Sequence, residues 1–173
     1  PTLITFSAEV VGKAAHAGFA PEDGVHAIQV AAAAVANLPS GRWGDVTVNV
    51  GTITGGRATN IVPDSCTVTG EIRALCHQDA LDRLNEIHSE FVEQAQAVDA
   101  KLNFNHTIHI TGYRVDTDAP VAQRFKRACE TVGVAPRFTD TYGGSDCNIL
   151  SAHGIQGLVV ATAMNNCHAV NEY

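Results

Sequence analysis

Apolar and polar residues alternate along residues 3–11, where Ile4, Phe6, Ala8 and Val10 share one face. A period of two marks a strand buried on one side, so a half-buried strand is expected to open the chain. The period then changes. Val25, Ile28, Ala32 and Val35 recur at helical spacing until Pro39, which lacks the amide that a helix interior needs. Alternation returns at Val46, Val48 and Val50, which predicts a second strand. After a glycine-rich connection over 54–65, it resumes at Cys66, Val68, Gly70, Ile72 and Ala74 as a third. A second helix follows, with Asp79 as its expected N-cap. Its apolar stripe runs through Leu84, Ile87, Phe91, Ala95 and Val98. Residues 101–110 close the series as a fourth strand, through Leu102, Phe104, Ile108 and Ile110.

The order β-α-β-β-α-β is the split βαβ, ferredoxin-like arrangement, a four-stranded antiparallel sheet with two helices on one face. It occupies residues 1–112. The fold class is therefore α+β, and residues 113–173 read differently. Asp118 is expected to cap a helix that has Pro120 in its first turn and ends at Gly133. The stripe of that helix is Val121, Phe125, Ala128 and Val132. The pattern predicts a strand over 136–146 running into a glycine-rich turn, and a short helix over 146–154. Residues 156–163 read as a wholly apolar strand of the kind a parallel sheet buries on both faces. About 60 such residues bury a core poorly by themselves. They are expected to be one part of an α/β domain whose other strands lie elsewhere.

Composition narrows the classes. The chain has 173 residues, 45% hydrophobic and 17% charged, an ordinary globular balance. Its net charge of -7 and 11 scattered basic residues argue against a nucleic-acid partner, which calls for a basic patch. No apolar run approaches the ~20 residues of a membrane helix, and no signal-peptide pattern opens the chain. It begins at Pro1, and its single methionine is Met164, so a processed start or a piece of a longer protein is expected. The five cysteines form no C-x-x-C pair. They fit reduced cytoplasmic thiols better than a disulfide framework or a cysteine zinc site.

Two histidines stand out for chemistry. His16 sits among small residues in "VGKAAHAGFAPEDG", a strand-to-helix loop that leaves it accessible. His168 follows the apolar strand and Asn165-Asn166, where α/β folds place ligands. Imidazole is a common metal ligand, but one histidine is no metal site. His106 and His109 are three apart on a strand, so they face opposite ways and cannot chelate together. They and His26, His77, His88 and His153 read as structural or solvated. Arg73 shares a face with Thr69 and Glu71, a place that suits a fork onto a carboxylate and equally a solvated sheet position. The glycine-rich stretches 54–60 and 142–146 match no phosphate-binding motif, and no nucleophile elbow is present.

Four segments, in order, carry a family resemblance: "GKAAHAGFAPEDGVHAI", "VNVGTITGGRATNIVPDSCTVTGEIRAL", "YGGSDCNIL" and "CHAVNE". The chain resembles the dizinc exopeptidases and amidohydrolases related to peptidase T, carboxypeptidase G, aminoacylase and acetylornithine deacetylase, with peptidase T-like proteins the nearest likeness. The resemblance implies that residues 1–112 are a lid, inserted in the family into a catalytic domain and used for homodimerisation. Residues 113–173 would be the C-terminal part of that catalytic domain. It implies that His16 reaches a partner subunit's centre and steadies an oxyanion. Asn60 and Arg73 would bind substrate polar groups and carboxylate, and Gly144 and Ser145 would line the pocket. His168 would be the last of five zinc ligands, although Ala169 stands where the family usually has threonine. The other ligands and the general base would lie upstream of Pro1, so two zinc ions serve the parent protein while this chain alone is expected to be inactive. The substrate implied is a small peptide or an N-acyl amino acid. The alternatives are an N-acyl or N-carbamoyl amidohydrolase and a stand-alone dimerisation or binding module.

Overall fold

The computed structural model describes residues 1–161, 165–166 and 170–172. These form two compact units, Pro1–Tyr113 with Thr141–Gly144, and Arg114–Asp140 with Ser145–Tyr173.

The first unit is a five-stranded antiparallel sheet backed by two helices. Its elements are β1 (Thr2–Val11), α1 (Ala27–Asn37), β2 (Gly41–Trp43), β3 (Val46–Gly55), β4 (Ser65–Ala74), α2 (His77–Gln96) and β5 (Lys101–Ile110). The strand order is β2-β3-β4-β1-β5. The four long strands are those the alternation predicts, and the short edge strand β2 is additional. Three residues are too few to show a period, so only its pairing with Val46–Val48 reveals it.

Alternate residues of β1 and β4 are buried against the helices: Ile4, Phe6, Ala8 and Val10, then Cys66, Val68, Ile72 and Ala74, with Gly70 half-buried between them. Phe91, Ile87, Leu84 and Ala80 of α2 complete this core. The opposite face is polar, with Thr5, Ser7 and Glu9 beside Glu71, Thr69 and Thr67.

Several expectations for α1 and α2 need correction. The buried face of α1 is Ala27, Val30, Ala31 and Ala34, whereas Ala32 is exposed and Ile28 and Val35 are half-buried. Its small residues let the helix lie close to the sheet. Val25 precedes the helix and bridges to Lys13. Helix α2 starts three residues earlier than its acidic residue suggests: Cys76 is the N-cap and Asp79 falls in the first turn, where a carboxylate favours the helix dipole. Val98 lies beyond the end of α2 and is exposed.

In the second unit the described residues form two helices, α3 (Pro120–Thr131) and α4 (Asp146–Ala152). Ala119, not Asp118, is the N-cap of α3, and its buried residues are Ala122 and Cys129. The returning segment sets that face. Val134 N–H donates to the Cys129 carbonyl at 2.9 Å, and Phe138 meets Phe125 edge-on, 6.1 Å between ring centres. Ala128 and Val132 are exposed instead. Residues 136–146 form no strand, nor do 156–161, where Val159 and Val160 are each about half exposed. A strand is held by a neighbour's ladder, and the described residues of this unit offer none.

Candidate functional site

The His16 loop is built by backbone lacing. Gly12 N–H donates to the Asp64 carbonyl, and Lys13 and Val25 exchange two hydrogen bonds. Gly12 is required here, because a Cβ would lie 2.1 Å from the Val25 carbonyl oxygen. Val62 N–H then donates to Ala15 and Ala17 N–H to Asn60, both onto carbonyls, at 2.9 and 3.0 Å. His16 and Ile61 thus face each other in an isolated antiparallel bridge. An ion pair between Arg57 and Asp64 ties the second loop across its own base. His16 and Asn60, 44 positions apart in sequence, come together in this way, and both are exposed.

The imidazole of His16 has two contacts. Nδ1 accepts a hydrogen bond from Gly18 N–H at 3.1 Å. One ring face stacks on Phe19, 4.3 Å between centres and 23° between planes. Phe19 itself is 85% exposed.

Arg73 lies at the far end of β4. That strand begins at Ser65, opposite Val11 from which the His16 loop departs, and Arg73 pairs with Leu3. Eight residues of extended chain place Arg73 about 26 Å from that end. Its Nε bonds Glu71 Oε1 at 2.8 Å, and its Nη1 donates to the Tyr142 carbonyl at 2.9 Å. Tyr142 is further held by Arg42, whose guanidinium lies 4.1 Å from the ring centre, and by Asp45, 3.4 Å from its hydroxyl. The strap Thr141–Gly144 is thereby fastened to the first unit. Gly144 lies against Ile110, which a side chain there would meet. Ser145 opens the second segment of the other unit as the N-cap of α4, and its N–H donates to Asn148 Oδ1 at 3.1 Å. His168 lies outside the described residues.

The sequence-derived candidates thus form two clusters at opposite ends of the sheet, His16 with Asn60 and Arg73 with Gly144. Phe19, Gly18 and Tyr142 are additions. Phe19 is legible only as an apolar residue in a loop, and Tyr142 contacts Arg73 across 69 positions, which no local pattern reports. Several other histidines have fixed structural partners. His26 Nδ1 caps α1 by accepting from Gln29 N–H, His77 Nδ1 bonds Thr2 Oγ1 and His109 Nε2 bonds Thr5 Oγ1, and His88 packs on Phe104. Among the described residues, no group of three or more His, Cys, Asp or Glu is placed to hold a metal ion. No helix among them is long and apolar enough to cross a membrane.

Residues 2–99 match the model of the peptidase dimerisation domain of M20 type. Over 99% of its length the chain is 30% identical to YqjE of Bacillus subtilis, of which it spans 47%. It is 33% identical to the aminopeptidase PepT of Bacillus cereus, with a TM-score of 0.90, covering 99% of this chain and 46% of that one. A tripeptidase of Staphylococcus aureus is 27% identical, with a TM-score of 0.92 and the same coverage, 99% and 46%. The chain therefore spans about half the length of these relatives.

Proposed function

The chain belongs to the peptidase dimerisation domain family, and on that footing we propose that it is the lid-bearing portion of a dizinc exopeptidase that cuts an amide bond of a small peptide. Residues 1–112 serve as the lid through which two copies pair, and residues 113–173 as part of the catalytic domain. The likeness to an aminopeptidase and a tripeptidase favours peptides over N-acyl or N-carbamoyl amino acids as substrates.

The observation that carries this reading is the His16 loop. An exposed imidazole stands on a loop tied by backbone bonds to the loop of Asn60. A group that stabilises developing negative charge must be fixed before the reaction and must reach past its own fold. His16 meets both needs and supplies the hydrogen bond to the oxyanion. Asn60 binds a polar group of the substrate, Arg73 its carboxylate, and Gly144 with Ser145 line its pocket.

Geometry favours action across a dimer. A tripeptide spans about 10 Å, far less than the strand length between the His16 end and Arg73. One small substrate in one copy therefore cannot meet both clusters. His16 and Asn60 serve the centre of the second copy. When bound, the zinc ions supply an activated water. Among the described residues, no group of three or more His, Cys, Asp or Glu is placed to hold them.

The test uses the protein encoded by the complete gene, loaded with zinc and assayed on tripeptides. His16→Ala is expected to lower kcat by about 10²- to 10³-fold. Mixing His16→Ala with His168→Ala copies is expected to restore turnover, since each supplies what the other lacks. No peptide hydrolysis, or no gain on mixing, would overturn the reading. The 173-residue chain alone is expected to be inactive, and zinc-dependent turnover by it would refute its assignment as a part.

A further inference from the structure

A ring nitrogen that accepts a hydrogen bond carries no proton, so the proton of a neutral imidazole then resides on the other nitrogen. In His16 the accepting atom is Nδ1, held by Gly18 N–H at 3.1 Å. The loop makes this bond through its own turn. The His16 carbonyl accepts from the amides of Phe19 and Ala20 at 3.2 and 3.1 Å, which folds the chain back and lays the Phe19 ring on the imidazole. Offset stacking of this kind fixes a ring plane. A phenylalanine that is 85% exposed fills no core, and the ring it stacks on is that of His16.

The contrast with two other histidines is chemical. His26 Nδ1 also accepts, from Gln29 N–H at 3.2 Å, and that bond is a helix cap. His153 Nδ1 stands 2.9 Å from the Ile149 carbonyl. A carbonyl only accepts, so His153 carries its proton on Nδ1.

We propose that the Gly18 amide and the Phe19 ring are positioning groups that hold the His16 imidazole as the neutral Nε2–H tautomer, leaving Nε2 as the ring donor aimed at the substrate carbonyl. The inference deepens, and rests on, the reading of His16 as an oxyanion donor. A donor of fixed tautomer and plane reorganises nothing as charge develops, which is where preorganised electrostatic stabilisation gains its advantage over water.

The tautomer is read directly, without activity. In a nitrogen-15 spectrum correlating ring nitrogens with carbon-bound ring protons, the 173-residue chain is expected to show unprotonated Nδ1 and protonated Nε2 for His16. Loss of those peaks in His16→Gln assigns them, and His153 gives the reverse pattern as an internal reference. A proton on Nδ1 of His16 overturns the proposal whatever the kinetics. Phe19→Ala removes only an exposed ring and leaves the fold intact. It is expected to bring the two His16 nitrogen shifts toward each other as the second tautomer populates, and unchanged shifts overturn the role given to Phe19. In the complete protein the same variant is expected to lower kcat about 10- to 10²-fold with KM little changed. If His16→Ala leaves kcat unaltered while the tautomer is as stated, the oxyanion reading fails and the positioning assignment stands.

Discussion

The two units of this chain use similar residues to different effect. In the first, alternate positions of β1 and, but for half-buried Gly70, of β4 are buried, and α1 and α2 close over them. In the second, the buried residues among those described are Ala122, Cys129 and Asn148, while Val132, Val134, Phe138, Ile149, Leu150, Ile155, Val159 and Val160 are exposed. Apolar residues are not scarce in either. What differs is whether the surfaces they need are present among the described residues of the same unit. Burial stabilises by removing apolar area from water, and a helix or strand can do this only against a complementary face. The first unit contains both faces of its core. The second presents apolar surface with little against it, which is how an interaction surface reads.

The strongest way to break that comparison is in the core of the first unit. Phe91 is fully buried on α2, with its ring centre 6.4 Å from that of Phe104. Phe91→Ala deletes a ring from a close-packed site and is expected to cost about 3–5 kcal/mol. Urea unfolding of the 173-residue chain measures it. A loss below about 1 kcal/mol would mean the core is loose enough to collapse around the gap, and the contrast between units would disappear.

The same contrast decides how much was legible in the sequence. The four long strands and both helices of the first unit follow from periodicity, because each element's apolar face reports a neighbour that is present. Details that periodicity does not carry were misplaced: the cap of α2, the rotation of α1 and the three-residue strand β2. In the second unit, residues 156–161 have the composition of a buried strand, but composition cannot supply the ladder. The site divides likewise. The motifs around His16, Asn60 and Arg73 are recognisable locally. That His16 and Asn60 adjoin while Arg73 stands at the other end of β4 is a matter of strand register, which no single segment states. The Arg42–Tyr142–Arg73 cluster depends on a strap returning from residue 141, beyond the reach of local pattern.

A smaller effect is expected at the junction between core and site. Gly12→Ala places a methyl group 2.1 Å from the Val25 carbonyl oxygen, a backbone atom that cannot swing away. Overpacking of this kind costs about 1–3 kcal/mol. The displaced loop should also lose the Lys13–Val25 and Ala17–Asn60 bonds, so the amides of Lys13 and Ala17 are expected to exchange with deuterium faster in the variant. Unchanged exchange would show that the His16 loop is held independently of its root.

Thiol chemistry compares the units with no mutation. Burial pushes the Cys66 thiol above its ordinary range by disfavouring the thiolate. The folded state therefore holds that proton to higher pH than the unfolded state. This contribution to stability is complete below the unfolded thiol's pKa and is lost as pH rises toward the folded one, so unfolding is expected to become easier in alkali. Alkylation followed by mass spectrometry should mark exposed Cys76 first and half-buried Cys147 next. Cys129 is buried in the second unit, and it should react ahead of Cys66 because a unit with fewer buried contacts opens locally at lower cost. Equal protection of Cys129 and Cys66 would place both units in one cooperative block.

The smallest expected effect is the sharpest test of the second unit. Val160 is 55% exposed, although its neighbours read as the interior of a sheet. In the 173-residue chain, Val160→Ser removes little buried area and is expected to change stability by no more than about 0.5 kcal/mol. The identical substitution in the protein encoded by the complete gene should cost several times more, because there the proposed catalytic domain supplies the neighbouring strands and the valine becomes core. Equal, small losses in both would mean residues 156–161 are surface in the parent as well, and the assignment of 113–173 to a sheet-bearing domain would fall. A large loss in the 173-residue chain would mean these valines are already covered there, and its dependence on protein concentration would tell whether a second copy covers them.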